Sequence, residues 1–245
     1  MALGARRGIV PAPGKRRMAT IHDLVAYGKS GLRGMQTSQR DWSPFVAHFT
    51  TYSAMAGLRT AIRAGRTPAE IEKLLDEADA VSAETSAKIA ASKKLLASSP
   101  SKKDDVPRCV CFSECSLPGL LGHCERYGRF GWVFRKTDIY GLGGRPCFYV
   151  SSDEYAEVAK RGRGESVDTP AGRLFGLANV YTPPKQGRVQ DYTHEREWRL
   201  FGDLDLGTAP PELILAPSRF IADLRRTFGD APHYIPLDLL HEWGL

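Results

Sequence analysis

The chain has 245 residues, 42% of them hydrophobic and 25% charged, enough for one large domain or a domain with appendages. It holds no apolar run approaching the roughly 18–20 residues of a membrane span, and Met1–Arg17 lacks the apolar core of a secretory signal. A formal charge of +6 favours acidic partners such as nucleic acid or a phosphorylated cofactor. A solvated basic surface gives the same number, and Arg6, Arg7, Lys15, Arg16 and Arg17 supply part of it.

Residues 1–17 read as a disordered basic tail, and residues 18–245 as a single α+β domain. Thr20 can cap a short helix carrying Ile21, Leu24 and Val25. Pro44–Thr50 reads as a short buried strand, and Ser53–Arg63 as a helix with Met55, Leu58 and Ile62 on one face. Thr67-Pro68-Ala69-Glu70 combines a capping box with proline at the first helical position. It opens a helical insertion over about residues 67–97, whose narrow, alanine-rich stripe runs through Ile71, Leu74, Leu75, Ala78, Val81, Thr85, Ile89 and Leu96. Such a helix packs on a domain rather than forming its core. Ser98–Asp105 reads as an exposed linker.

From Val106 the strand signals become dense: Cys109–Ser113, Phe130–Phe134, Cys147–Val150, Glu197–Phe201 and Leu213–Leu215. Ser218 begins a last helix that Gly229 can cap. Short strands mixed irregularly with helices predict an α+β fold, not a doubly wound parallel one. Gly141-Leu142-Gly143-Gly144 reads as a loop, since the strand and helix that should flank a dinucleotide fingerprint are missing.

The densest chemistry lies in His194-Glu195-Arg196-Glu197-Trp198-Arg199. On one continuous strand, alternation puts Glu195, Glu197, Arg199 and Phe201 on one face and His194, Arg196, Trp198 and Leu200 on the other. Two carboxylates pointing the same way raise each other's pKa in a cleft; on an open face they make cross-strand pairs with arginine. His48, between apolar strand residues, offers a hydrogen bond to a ligand or satisfies itself in the core. Cys109, Cys111, Cys115 and Cys124 crowd beside His123. Zinc is conceivable there, but no Cys-x2-Cys knuckle exists, and buried thiols also act as small hydrophobes. An odd count of five cysteines fits a reducing cytosol better than a secreted disulfide scaffold. Arg126 to Lys136 interleaves basic and aromatic residues, as nucleic-acid binders do. The Phe130, Trp132, Phe134 alternation equally suits a buried strand face, with Arg126, Arg129 and Arg135 at its rim.

Cys111-Phe112-Ser113-Glu114, Tyr127 through Lys136, Arg145 through Val150, and Glu197-Trp198-Arg199 together resemble the abortive phage resistance proteins of the AbiGi type. The resemblance covers about Phe45 to Ala216, and implies a bacterial defence or toxin–antitoxin setting. His48-Phe49-Thr50 is also similar to the first strand of DarT-like ADP-ribosyltransferases. That likeness implies a split mixed β-sheet with flanking helices, and NAD as substrate. It also implies His48, with Thr50 in the same motif, on the nicotinamide ribose side of NAD. Ser113 would shape the nicotinamide pocket, Glu197 would be the catalytic carboxylate, and Glu195 would orient the acceptor. The nearest residues for the NAD phosphates are Arg59 and Arg63, and a long alanine-rich helix replaces the early loop usual in that group. The expected activity is transfer of ADP-ribose to a nucleic acid or protein acceptor by a cytoplasmic, non-membrane defence toxin with a possible cognate antitoxin. The alternatives are a non-enzymatic antitoxin or defence component that binds a protein or nucleic acid, and a zinc-stabilised nucleic-acid-binding module.

Overall fold

The computed structural model describes residues 43–49, 57, 60–98, 105–114, 123, 124, 126–185, 188–190 and 196–238. The expected basic tail and the Thr20 helix lie outside them. The strands are β1 (Phe45–Phe49), β2 (Lys94–Leu95), β3 (Cys109–Ser113), β4 (Gly131–Arg135), β5 (Arg145–Pro146), β6 (Phe148–Val150) and β7 (Ala178–Val180). They continue with β8 (Thr182–Lys185), β9 (Arg188–Gln190), β10 (Glu197–Phe201), β11 (Leu204–Asp205), β12 (Leu213–Ala216) and β13 (His233–Pro236). The helices are α1 (Pro68–Ser92), α2 (Lys136–Gly141), α3 (Ser152–Gly162), α4 (Pro170–Leu177) and α5 (Ser218–Phe228).

Seven strands form one sheet in the order β13-β12-β4-β1-β3-β10-β5. It is mixed: β12 and β13 are parallel, the other neighbours antiparallel. The fold is therefore α+β, as the irregular strand spacing predicts. Its registers sort every strand residue onto one of two faces. Val46, Val110, Phe112, Trp132, Phe134, Trp198, Leu200, Ile214 and Ala216 share one face and join the main core with Leu95, Ile139, Leu204 and Leu224. Phe130, Trp132 and Phe134 are each at most 1% exposed, so the aromatic alternation is core. Of the proposed rim arginines, Arg129 pairs with Asp79 and Asp238, Arg135 pairs with Glu212, and Arg126 lies over the Tyr127 ring.

The second face carries Ala47, Phe49, Cys109, Cys111, Ser113, Glu197, Arg199 and Phe201. The α4 helix covers its β10 end. A Cβ on Gly176 would stand 2.6 Å from the Phe201 ring, so only glycine permits that approach. The β6–α3–α4–β7 segment closes into its own parallel strand pair, Phe148–Ala178 to Val150–Val180.

The helical insertion begins as expected, with Thr67 and Glu70 completing the capping box, but it stops at Ser92. Lys93 adopts a left-handed conformation, φ 52°, and the chain then runs extended. That change of period buries Leu95 and Ala97 and leaves Leu96 65% exposed. The buried stripe of α1 is likewise rotated from the expected one: Ala78, Asp79, Ser82, Ser86 and Ala90 face inward, and Val81 is 52% exposed. Buried Asp79 turns that face towards Arg219 of α5 at 2.9 Å, a polar attachment that an apolar count along the helix does not register. The first part of the expected Ser98–Asp105 linker is not free either, because Ser98 bridges Cys109.

Candidate active site around Glu197

The β10 strand begins at Glu197, and Arg196 before it holds a left-handed backbone, φ 43°. Glu195, His194, Thr50 and Arg59 lie outside the described residues. Arg63 is exposed on a short helical stretch before α1.

From Glu197 onward the strand splits its motif between two networks. On the second face, Arg199 is 5% exposed and Glu197 14%. Arg199 Nε donates to Glu197 Oε1 at 2.8 Å, and Nη2 donates to Oε2 at 3.1 Å. Asn179 Nδ2 of β7 donates to the same Oε2 at 2.9 Å. The other guanidinium nitrogen, Nη1, donates to the carbonyls of Gly176 at 2.7 Å and Ala178 at 3.3 Å. These carbonyls belong to the C-terminal end of α4, where unsatisfied acceptors and the helix dipole both favour a cation. Burial opposes the Arg199 charge, but the Glu197 carboxylate outweighs it and holds the guanidinium protonated.

On the core face, Glu114 binds the other half of the motif. Its carboxylate accepts from Trp198 Nε1 at 3.3 Å and lies 3.5 Å from Arg196 Nη1 and 2.9 Å from Lys136 Nζ. The Ser43 amide donates to it at 3.4 Å, which ties the start of β1 to the ends of β3, β4 and β10. The Glu-Trp-Arg sequence thus fastens the sheet from both sides. The sequence does hint at it: alternation separates Trp198 from Glu197. Glu114, Lys136 and Asn179 as its partners depend on register and carry no local signal.

Ser113 pairs directly with Glu197 across β3 and β10 and with Ala47 across β1 and β3, so Ser113 and Glu197 do share a face. His48 does not share it. One residue beyond Ala47, it leaves the sheet on the core side, edge-on to Phe112 with ring centroids 6.1 Å apart. Its Nδ1 meets the Cys111 carbonyl at 2.8 Å, and burial holds its pKa below the ordinary histidine value although that hydrogen bond opposes the shift. Strand parity therefore puts His48 and Glu197 on opposite faces of the sheet. Phe49 instead holds the Ser113 side and stacks on His123 and Tyr127 at centroid distances of 6.1 and 6.2 Å.

Although β1, β3 and β10 are inner strands, Phe49, Cys111 and Glu197 on this second face each keep partial exposure. That row of incompletely covered residues marks where a ligand can reach the sheet. Two surface hollows lie elsewhere. One, of about 580 Å³, is lined by Tyr155, Ala156, Ala159, Lys160 and Arg163. The other, of about 420 Å³, lies along α1 around Arg66, Glu70, Lys73 and Leu74. Among the described residues no three His, Cys, Asp or Glu side chains are grouped as a metal requires. No described helix is long and apolar enough to cross a membrane.

No protein-family model, curated protein or solved structure matches this chain.

Proposed function

We propose that this chain is an ADP-ribosyltransferase-like enzyme that moves ADP-ribose from NAD to a nucleic acid or protein acceptor, as a phage-defence toxin acting in the cytoplasm. The observation that carries the reading is the Glu197 carboxylate: oriented from three N–H donors, still partly exposed, and beside Ser113 on a central strand. A carboxylate has about four lone-pair sites. Arg199 and Asn179 take three and prevent the group from turning away, and a ribose hydroxyl takes the fourth in place of the Cys147 thiol. Cleavage of the nicotinamide–ribose bond leaves positive charge on the ribose, and a fixed carboxylate stabilises that charge without reorganising. Ser113 then sits on the nicotinamide side of Glu197. His48 acts from behind the sheet, as a positioning residue on the Cys111 carbonyl.

One observation favours a second reading. Both Glu197 oxygens are engaged and Arg199 is buried, which also describes a structural clamp in a non-enzymatic antitoxin or defence component that binds a protein or nucleic acid. Labelled NAD incubated with total nucleic acid and total protein separates the two. Label in either acceptor pool, lost in Glu197→Gln, supports the transferase. Intact NAD, with Glu197→Gln protecting cells from phage as wild type does, supports the binding component instead.

A further inference from the structure

Three thiols surround the Glu197–Arg199 pair, and the proposed transfer chemistry uses none of them. Cys109 and Cys111 occupy alternate positions of β3, so both side chains rise from the same face, with their sulfurs 3.6 Å apart. Their cross-strand partners are Phe201 and Arg199. Cys111 is partly exposed and Cys109 is 1% exposed. Cys147 sits beside them, its amide donating to the Glu197 carbonyl at 2.7 Å. Buried thiols commonly serve as small hydrophobes, but two sulfurs in contact at the edge of an opening, next to a buried guanidinium, are also placed to react with each other.

We propose that Cys109 and Cys111 form a dithiol that hydrogen peroxide oxidises to a reversible disulfide in the floor of the candidate site. Peroxide is small enough to enter past the partly exposed Cys111. The Cys109 thiolate attacks one peroxide oxygen: an S–O bond forms, the O–O bond breaks, and the leaving hydroxide takes a proton to become water. Cys111 then attacks the sulfenic sulfur. The S–S bond forms, the S–O bond breaks, and the hydroxyl leaves with the Cys111 proton as a second water. Two thiols and one peroxide give one disulfide and two waters. The hydrogen bond between the two sulfurs holds the Cys109 thiol below the ordinary value against burial, with Arg199 helping. Burial first, and Glu197 second, keep the Cys147 thiol protonated, so it does not compete.

Closing the bridge moves the strand. Positions two apart on a strand are separated by roughly 6.6–6.8 Å, at the upper end of the Cα spacing a disulfide accepts. The bond therefore draws Cys109 and Cys111 together and pulls on the β10 register at Arg199 and Phe201. A bridge strained in this way is readily reduced, which makes the change reversible.

The test is peroxide treatment of the folded wild-type chain, followed by quenching, denaturing thiol titration and peptide mass mapping. Cleavage after Phe112 separates Cys109 and Cys111 from Cys115 and Cys124. The expected result is a fall from five free thiols to three, a Cys109–Cys111 peptide lighter by two hydrogens, and full recovery with dithiothreitol. In Cys111→Ser the bridge cannot form, and a sulfenic acid on Cys109 is captured by dimedone. Oxygen added to either sulfur of wild type without a bridge, or bridges confined to Cys115, Cys124 and Cys147 while Cys109 and Cys111 stay reduced, overturns the proposal. The wild-type map decides even where Cys111→Ser fails to fold.

Discussion

Arg199→Met removes the guanidinium and keeps most of the side-chain bulk. Four donor contacts disappear: two to Glu197 and one each to the Gly176 and Ala178 carbonyls. Glu197 is then left largely buried with Asn179 as its remaining N–H donor. Removing one partner of a buried ion pair costs about 3–5 kcal/mol, and the partial exposure of Glu197 argues for the lower end. At about 3 kcal/mol, a domain of this size loses roughly 6–12 °C of Tm. Urea unfolding followed by the fluorescence of buried Trp132 and Trp198 measures the free energy directly. The double variant Glu197→Gln/Arg199→Met should lose less than the sum of its single variants, because the two groups share one interaction. An Arg199→Met protein within about 0.5 kcal/mol of wild type would refute the reasoning, since surface substitutions alone lie in that range.

Gly176→Ala drives a methyl group into the Phe201 ring and should cost about 1–3 kcal/mol by overpacking, with Phe201→Leu restoring part of the loss in thermal unfolding. Thr67→Ala removes the capping-box hydroxyl of α1 and should cost about 1 kcal/mol, read from the urea midpoint. His48 gives a pH signature. Its folded pKa lies below the unfolded one, so the unfolded state binds the proton first, and stability is full above about pH 6.5 and falls as the pH drops below it. His48→Gln should abolish that acid-side component in unfolding curves taken from pH 7.5 to 5; an unchanged pH slope contradicts a lowered imidazole pKa.

The inner strands β12, β4, β1, β3 and β10 were legible because each is short, β-rich and bounded by breakers, whereas the edge strands β5 and β13, each containing a proline, were not. Cys109–Ser113 and Glu197–Phe201 agree with the expected limits to the residue, and Gly229 caps α5 as expected. Less was legible where polar contacts decide the structure. The α3 helix is capped by Ser151 and Glu154, yet its mixed charged sequence offers no long apolar stripe. The α4 helix is short and glycine-containing, and its glycines serve close approach, not flexibility. At the candidate site, Glu197 could be selected from its own segment. Arg199 could be read beside it by alternation, but Asn179 could not, because only the tertiary fold brings β7 to β10. The relation of His48 to Glu197 was not legible, for a simple reason. A histidine and a glutamate on different strands can each look catalytic, but which faces they share depends on a one-residue register that periodicity cannot supply.

The central claim is that Glu197 stabilises charge on the ribose of NAD. The most direct measurement is release of free nicotinamide from NAD by the purified wild-type chain and by Glu197→Gln, each shown to be folded, with total nucleic acid and protein present as acceptors. The account predicts release by wild type and a loss of about 10²–10³-fold in the variant, the scale of removing one preorganised electrostatic contact. Equal release by the two proteins, or none by either, would contradict it.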